Sequence, residues 1–255
     1  MKRIRVIPVL LIHNRGLIKS VKFKDYKYVG DPINAVRIFN EKEVDELAII
    51  DIDASRESRP PDISRIEEIV SEAFMPIAYG GGITTADEVK RILSAGVEKV
   101  ILNRAAVKNP SLITEIARQF GSQSVVVSVD YKKNFFGKQW VYIENGKTNS
   151  GLEPLAFARQ MEEAGAGEIL LNSIERDGSF SGYDLDMIEK ISHSVNIPMI
   201  AVGGASSLTD FKQAIQRGAS AVSAGSLFVF QRPHRAVLIS YPSQQELESQ
   251  VYEGL

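Results

Sequence analysis

The chain has 255 residues, 44% of them hydrophobic and 24% charged, with a formal net charge of -2. That balance belongs to a globular chain of one large domain or two small ones, and it leaves no chain-wide basic excess to hold a nucleic-acid backbone. Cysteine is absent, which excludes disulfides, thiolate nucleophiles and thiolate-bound metals. The apolar runs are too short to cross a bilayer, and the N-terminal one is too short for a signal peptide. The expectation is a cytoplasmic chain with neither membrane nor nucleic acid among its partners.

Short apolar, β-branched runs follow one another along the chain at 4–12, 46–52, 75–79, 99–102, 124–129, 168–171, 198–202 and 219–224. Each is bounded by Gly, Pro, Asp or Asn, as buried strands are. Amphipathic stretches separate most of them. In 85–95, Val89, Ile92 and Leu93 share one face, Asp87, Glu88, Lys90 and Arg91 lie opposite, and Gly96 closes the helix. The stretch 155–164 closes likewise at Gly165. Strands alternating with helices predict parallel strands joined by right-handed crossovers. Eight such units fit a (β/α)8 TIM barrel. A doubly wound open sheet is the alternative, and the lack of Gly-x-Gly-x-x-Gly after the first strand counts against it.

An internal repeat supports the barrel. Pro76-Ile77-Ala78-Tyr79-Gly80-Gly81-Gly82-Ile83 parallels Pro198-Met199-Ile200-Ala201-Val202-Gly203-Gly204-Ala205. At the same offset Gly96 maps onto Gly218, Asn103 onto Gly225 and Glu46 onto Glu168. The chain thus reads as one barrel, 1–255, made of two half-barrels at about 1–122 and 123–255. Its sites should come in pairs.

Gly81 and Gly82 follow a strand and precede a helix, and Gly203 and Gly204 do the same in the second half. Glycine lets backbone N–H groups approach an anion, and a helix N-terminus favours negative charge. Asn103-Arg104 and Gly225-Ser226 end the next strand of each half and could complete each cradle. A ligand carrying a phosphate at each end fits this pattern. Tight turns alone would also use such glycines, a reading that the pairing of the two runs weakens.

The motifs Gly30-Asp31-Pro32, Asp45-Glu46-Leu47, Tyr79-Gly80-Gly81-Gly82-Ile83, Phe120-Gly121-Ser122-Gln123, Gly165-Ala166-Gly167-Glu168-Ile169-Leu170, Arg176-Asp177-Gly178 and Gly203-Gly204-Ala205 resemble, in combination, the cyclase subunit of imidazole glycerol phosphate synthase, the HisF family. The resemblance runs from about Arg3 to Phe230. It implies a TIM barrel that takes ammonia from a HisH-like glutaminase docked at its N-terminal face. The ammonia crosses the barrel, and a bisphosphorylated substrate is split and cyclised at the C-terminal face. It implies an ammonia gate of Arg5, Glu46, Lys99 and Glu168, in which two cations and two carboxylates offset one another's burial. A salt-bridged plug of the barrel floor is the bland reading of the same four. It implies Asp130 as one of two acid–base aspartates, Lys19, Asn172 and Asp177 as substrate contacts, and Gly178 among the phosphate contacts. No cofactor and no metal is called for.

The second aspartate is missing. Its position falls at Leu11, and a leucine transfers no proton. His13, two residues on and about 7 Å further along an extended strand, is a candidate replacement or simply a loop histidine. Arg104 and Asn172 stand where the family usually has Thr, and Arg104 suggests an anionic ligand of changed shape. Leu10-Leu11, Val21-Lys22-Phe23-Lys24, the run from Lys27 to Leu47 and the tail from Gly225 to Pro242 resemble cyclase-like proteins of surface-polysaccharide gene clusters. This implies ammonia delivery to a sugar amidotransferase that turns an acetamido group on a nucleotide-linked sugar into an acetamidino group. Histidine-pathway cyclase and non-catalytic glutaminase activator are the alternatives.

Residues 131–150 read as an insertion in which Asn145-Gly146 makes a hairpin turn. Trp140, Phe135 and Phe136 are expected to pack a small ribbon over the mouth, with a protein-docking surface as the alternative. The tail 243–255 reads as a last helix or a frayed end.

Overall fold

A computed structural model describes residues 4–231 and 233–255. Met1–Arg3, part of the N-terminal run read above, lie outside the described residues.

The chain runs β1 (Arg5–His13), β2 (Gly16–Val21), β3 (Lys24–Gly30), α1 (Pro32–Glu41), β4 (Leu47–Asp51), α2 (Ile63–Val70), β5 (Ile77–Gly80), α3 (Ala86–Ser94), β6 (Lys99–Leu102), α4 (Arg104–Lys108) and α5 (Pro110–Phe120). It continues through β7 (Val125–Lys133), β8 (Gln139–Ile143), β9 (Thr148–Asn149), α6 (Pro154–Glu163), β10 (Glu168–Ser173), α7 (Leu185–Ser192), β11 (Met199–Val202), α8 (Leu208–Gln216), β12 (Ala221–Ala224), α9 (Ser226–Val229) and α10 (Gln244–Leu247). Eight strands pair in parallel in the order β10-β11-β12-β1-β4-β5-β6-β7, and β7 pairs β10 to close the ring. The fold is the (β/α)8 barrel, and all eight apolar runs are its staves. Gly96 and Gly165 sit just past α3 and α6 with φ of 98° and 104°, the left-handed region that a residue with a Cβ resists.

Alternation along the staves sorts side chains into two cores. Ile7, Val9, Ala48, Ala78, Ile101, Val126, Leu170, Ile200, Val202 and Ala221 fill the barrel, with Leu11 and Ile50 packed on them. Opposite-parity residues such as Val6, Leu10, Leu47, Ile49 and Val127 meet the helices, whose apolar stripes include Phe39, Phe157 and Phe211. Among the described residues no helix is long and apolar enough to cross a membrane.

Two excursions decorate the C-terminal end. The β2–β3 hairpin was not read from the sequence. β2 runs antiparallel to the end of β1, with Leu11 opposite Ile18. The second is the ribbon of β7, β8 and β9, antiparallel throughout. Its 144–147 turn carries φ of 55°, 54° and 73° at Glu144, Asn145 and Gly146, so the Asn-Gly turn stands as expected. The aromatic expectation needs correction. Asn134 Oδ1 accepts from the N–H groups of Phe136 and Lys138 at 3.0 and 2.9 Å. This tight tip turns Phe135 and Phe136 outward, 97% and 88% exposed, edge to face with each other. Trp140 is half-buried, with the Lys138 ammonium 4.4 Å from its ring. The tail is ordered rather than frayed: Ser243 caps α10, and Leu247 and Val251 are buried.

Candidate functional site

The N-terminal end of the barrel is closed by charge. Arg5 opens β1, Glu46 precedes β4, Lys99 opens β6 and Glu168 opens β10. Arg5 Nη1 donates to Glu46 at 2.5 Å and Arg5 Nη2 donates to Glu168. Lys99 Nζ reaches Glu46 at 2.9 Å and Glu168 at 3.2 Å. Each cation therefore touches both carboxylates, which are 4% and 5% exposed. Burial alone would lower the Arg5 pKa, but its contacts with Glu168 and Glu46 raise it. Above the ring lie the apolar layers of the barrel core.

The C-terminal end opens into a cavity. Its lining includes Gly81 and Gly82 after β5, Asn103 and Arg104 after β6, Gly178 after β10, Gly203 and Gly204 after β11, and Gly225 and Ser226 after β12. Leu11, Lys19, Asp130, Asn172 and Asp177 line the same cavity. The glycine loops are close-fitted. Gly82 has φ 73°, and a Cβ there would stand 2.7 Å from the Arg59 carbonyl oxygen. At Gly204, φ 112°, a Cβ would overlap the Gly182 carbonyl, whose own N–H donates to Gly204 O at 2.8 Å. Gly204→Ala should therefore cost about 1–3 kcal/mol of stability and weaken phosphate binding at least tenfold. Thermal unfolding and phosphate titration check this; an unchanged affinity would remove the loop from the site.

The polar groups of the cavity differ in how they are held. Asp130 accepts from Ser128 Oγ at 2.8 Å. Burial pushes its carboxyl up to about 6, against the pull of Ser128 and Asn172. The Asn172 Oδ1 atom is buried without a partner, an acceptor left for a ligand N–H or O–H. Asp177 accepts from Ser20 Oγ at 2.8 Å and its carbonyl from Lys22 N–H at 2.9 Å, so it staples the β2–β3 hairpin over the mouth. Burial raises its pKa in spite of Ser20 and Lys19. Lys19 is 3% exposed and donates to the Val9 carbonyl. Burial pushes its ammonium down to about 8, opposed by Asp177. The cavity thus offers backbone cradles for anions, a carboxylate poised near neutrality and a buried ammonium.

Residues 5–233 match the family described as "Histidine biosynthesis protein". Over 249 residues the chain is 55% identical to the "Putative imidazole glycerol phosphate synthase subunit hisF2" of Pseudomonas aeruginosa, covering 97% of this chain and 99% of that one. It is 49% identical to the "Putative imidazole glycerol phosphate synthase subunit HisF" of Leptospira interrogans, over 97% and 98% of the two chains. It is 45% identical to the "Imidazole glycerol phosphate synthase subunit HisF" of Alkaliphilus metalliredigens, over 88% and 89%. The chain belongs to the HisF family.

Within this HisF-family barrel, the mouth residues expected from sequence line a single cavity, and the four floor residues form a single ring. Three expectations change in detail. His13 does not line the cavity. Its Nδ1 lies 2.8 Å from Asp53 Oδ1 and its ring meets Tyr26 edge-on, so it is tied to the rim and takes no place beside Leu11. Arg104 lines the cavity, but its Nε donates to Glu144 of the ribbon at 3.3 Å, so an anionic ligand must share it. The Asn103 side chain is engaged by the Ser128 and Tyr142 carbonyls at 3.2 Å each, leaving its backbone to the cradle. Ser20, Tyr26, Ser128, Glu144 and Asn145 also line the cavity and were not picked out. For Ser128 a signal existed: it stands two residues before Asp130, on the same face of the strand. Among the described residues no group of three His, Asp or Glu converges as a metal site.

Proposed function

We propose that this chain is the ammonia-using synthase subunit of a glutamine amidotransferase of the imidazole glycerol phosphate synthase type. A HisH-like glutaminase docks at the N-terminal face. Ammonia passes the ring of Arg5, Glu46, Lys99 and Glu168, crosses the apolar core, and meets a bisphosphorylated acceptor in the cavity at the other end. The observation that carries this reading is the pairing of a charged floor with a cradle-lined mouth at opposite ends of one barrel. An apolar passage suits neutral ammonia and is costly for the ammonium ion. Gly81, Gly82 and the backbone at Asn103 and Arg104 hold one phosphate. Gly178, Gly203, Gly204, Gly225 and Ser226 hold the other. Lys19, Asn172 and Asp177 contact the substrate between them, and Asp130 exchanges its proton.

The histidine-pathway cyclase is the reading that the relatives' names support best. The acetamidino-sugar reading, with a sugar amidotransferase receiving the ammonia, is favoured by one observation: Leu11, not a carboxylate, lines the wall opposite Asp130. Turnover of the bisphosphorylated cyclase substrate with excess ammonium salt separates the two, because ammonium removes the need for a glutaminase. The cyclase reading expects turnover in the ordinary enzyme range, roughly 1–10³ per second. It also expects Leu11→Asp to raise the rate. Substrate binding without turnover in either protein would move the chain to the sugar branch.

A further inference from the structure

We propose that Glu144 is a specificity-determining residue of the first phosphate cradle: its carboxylate shares the Arg104 guanidinium, so that this cradle disfavours a free phosphate and admits one tethered to a phosphate already held across the mouth. This rests on the reading of the cavity as two cradles for one bisphosphorylated ligand.

The internal repeat relates the two cradles, but they are not equivalent. In the closed ring β5 and β6 stand opposite β11 and β12, so a ligand that touches both cradles spans the mouth. At the offset that sets Gly81-Gly82 beside Gly203-Gly204, Arg104 falls on Ser226. The first cradle owns a guanidinium and the second a hydroxyl. An unshared arginine would make the first the stronger anion site. Glu144 opposes that. It lines the same cavity, and its Oε1 accepts from Arg104 Nε at 3.3 Å. Among the described residues it is the only acid paired with Arg104.

The Glu144 carboxylate is held where it is. Its Oε2 accepts from Thr148 Oγ1 at 2.7 Å. Thr148 and Arg104 keep its carboxyl below the usual carboxylate range, so it carries its charge. The next residue, Asn145, donates through Nδ2 to the Ile52 carbonyl at 2.9 Å, which ties the ribbon turn to the loop after β4. Behind the turn, a Cβ at Gly146 would stand 3.2 Å from Ile174 and 3.3 Å from Phe23, so the turn has little room to withdraw. A phosphate that reaches Gly81, Gly82 and Arg104 comes to rest beside a fixed negative charge, and the like charges repel.

The other acids of the cavity are engaged elsewhere. Asp51, which a Cβ on Gly81 would strike, is paired with Arg59 at 2.8 Å. Asp130 accepts from Ser128 Oγ. At the second cradle Asp177 is turned to Ser20 Oγ at 2.8 Å, and the Lys19 ammonium lies beside Gly225. A free phosphate therefore fills the second cradle first. Once one end of a ligand is held there, its other phosphate meets the first cradle at the effective concentration of a tethered group, on the order of millimolar or more. That offsets the repulsion. Inorganic phosphate and monoesters have no such help, so the carboxylate sorts ligands by the number of phosphates they carry.

The test is a titration of the whole chain with inorganic phosphate, followed by NMR through the backbone amides of Gly81 and Gly82 for one cradle and of Gly203 and Gly204 for the other. In the wild-type chain the second pair should saturate at about tenfold lower phosphate than the first. Glu144→Gln removes the charge and keeps an oxygen for Thr148; it should tighten the first-cradle response about tenfold and leave the second within about twofold. Glu144→Lys should tighten the first cradle further, a ranking by charge that a purely structural role of the turn would not produce. The bisphosphorylated cyclase substrate should move both glycine pairs of the wild-type chain with one shared midpoint. Equal saturation of the two cradles in wild type, an unchanged first cradle in both variants, or equal gains at both cradles would overturn the assignment and leave the two-cradle reading standing. No movement of either glycine pair, in wild type or variant, would reject both.

Discussion

Asp130→Asn should lower turnover by about 10²–10⁴-fold and raise the stability of the protein at neutral pH. The two effects have one cause. Burial lifts the Asp130 carboxyl from its ordinary 3.8 to about 6, so the folded chain binds that proton more tightly than the unfolded chain. The native state binds more protons across this interval, and stability falls as pH rises from about 4 to about 6. Above that the penalty is constant, on the order of 3 kcal/mol for a shift of this size. Asparagine removes the charge and keeps an oxygen to accept from Ser128 Oγ. The variant should melt a few degrees higher than wild type at pH 7.5 and show little difference at pH 4. Equal melting temperatures at both pH values would mean that the carboxylate is better solvated than its place in the wall indicates.

Glu168→Ala should have the largest effect at the other end of the barrel. Glu168 accepts from both Arg5 and Lys99, and its removal leaves two partly buried cations sharing Glu46 alone. Breaking a buried ion pair from one side costs about 3–5 kcal/mol. Arg5 and Lys99 are 25% and 19% exposed at the side chain, which places the expected loss at the low end of that range. Glutamine-driven turnover with the glutaminase partner should fall at least tenfold, while ammonium-driven turnover should change far less. A proportional fall in both would make the ring a structural plug and nothing more.

The eight staves were legible because each buries both faces, one inward and one against helices, and so appears as an unbroken β-branched run. The glycine runs were legible because a Cβ at Gly82 or Gly204 would collide with a neighbouring backbone carbonyl, so no other residue fits there. The β2–β3 hairpin was not. β3 has five consecutive exposed residues from Lys24 to Tyr28, so no hydrophobic alternation marks it. Lys19 was legible as a site residue but not as a buried one, since its burial depends on Gly225 and Asp177, far away in the chain. Phe135 and Phe136 misled in the opposite direction: composition makes them core candidates, and one local turn centred on Asn134 turns them out. Pairings that depend on distant partners, such as Arg104 with Glu144 or His13 with Asp53, leave no periodic trace.

The first stave pairs with the last. Arg5 to Pro8 lie beside Ala221 to Ala224, Ser223 Oγ donates to the Ile7 carbonyl across 216 positions of sequence, and Ser20 meets Asp177 across 157. During synthesis, therefore, the chain holds no complete mouth until its final quarter has left the ribosome. Contacts of such separation make closure a late and slow event. On the proposed function, a phosphorylated ligand would recognise only the closed product, and at a hundred times its Kd it would add about 2.7 kcal/mol to it. The small molecule that the barrel works on would then also serve its maturation, holding shut those copies that have finished folding.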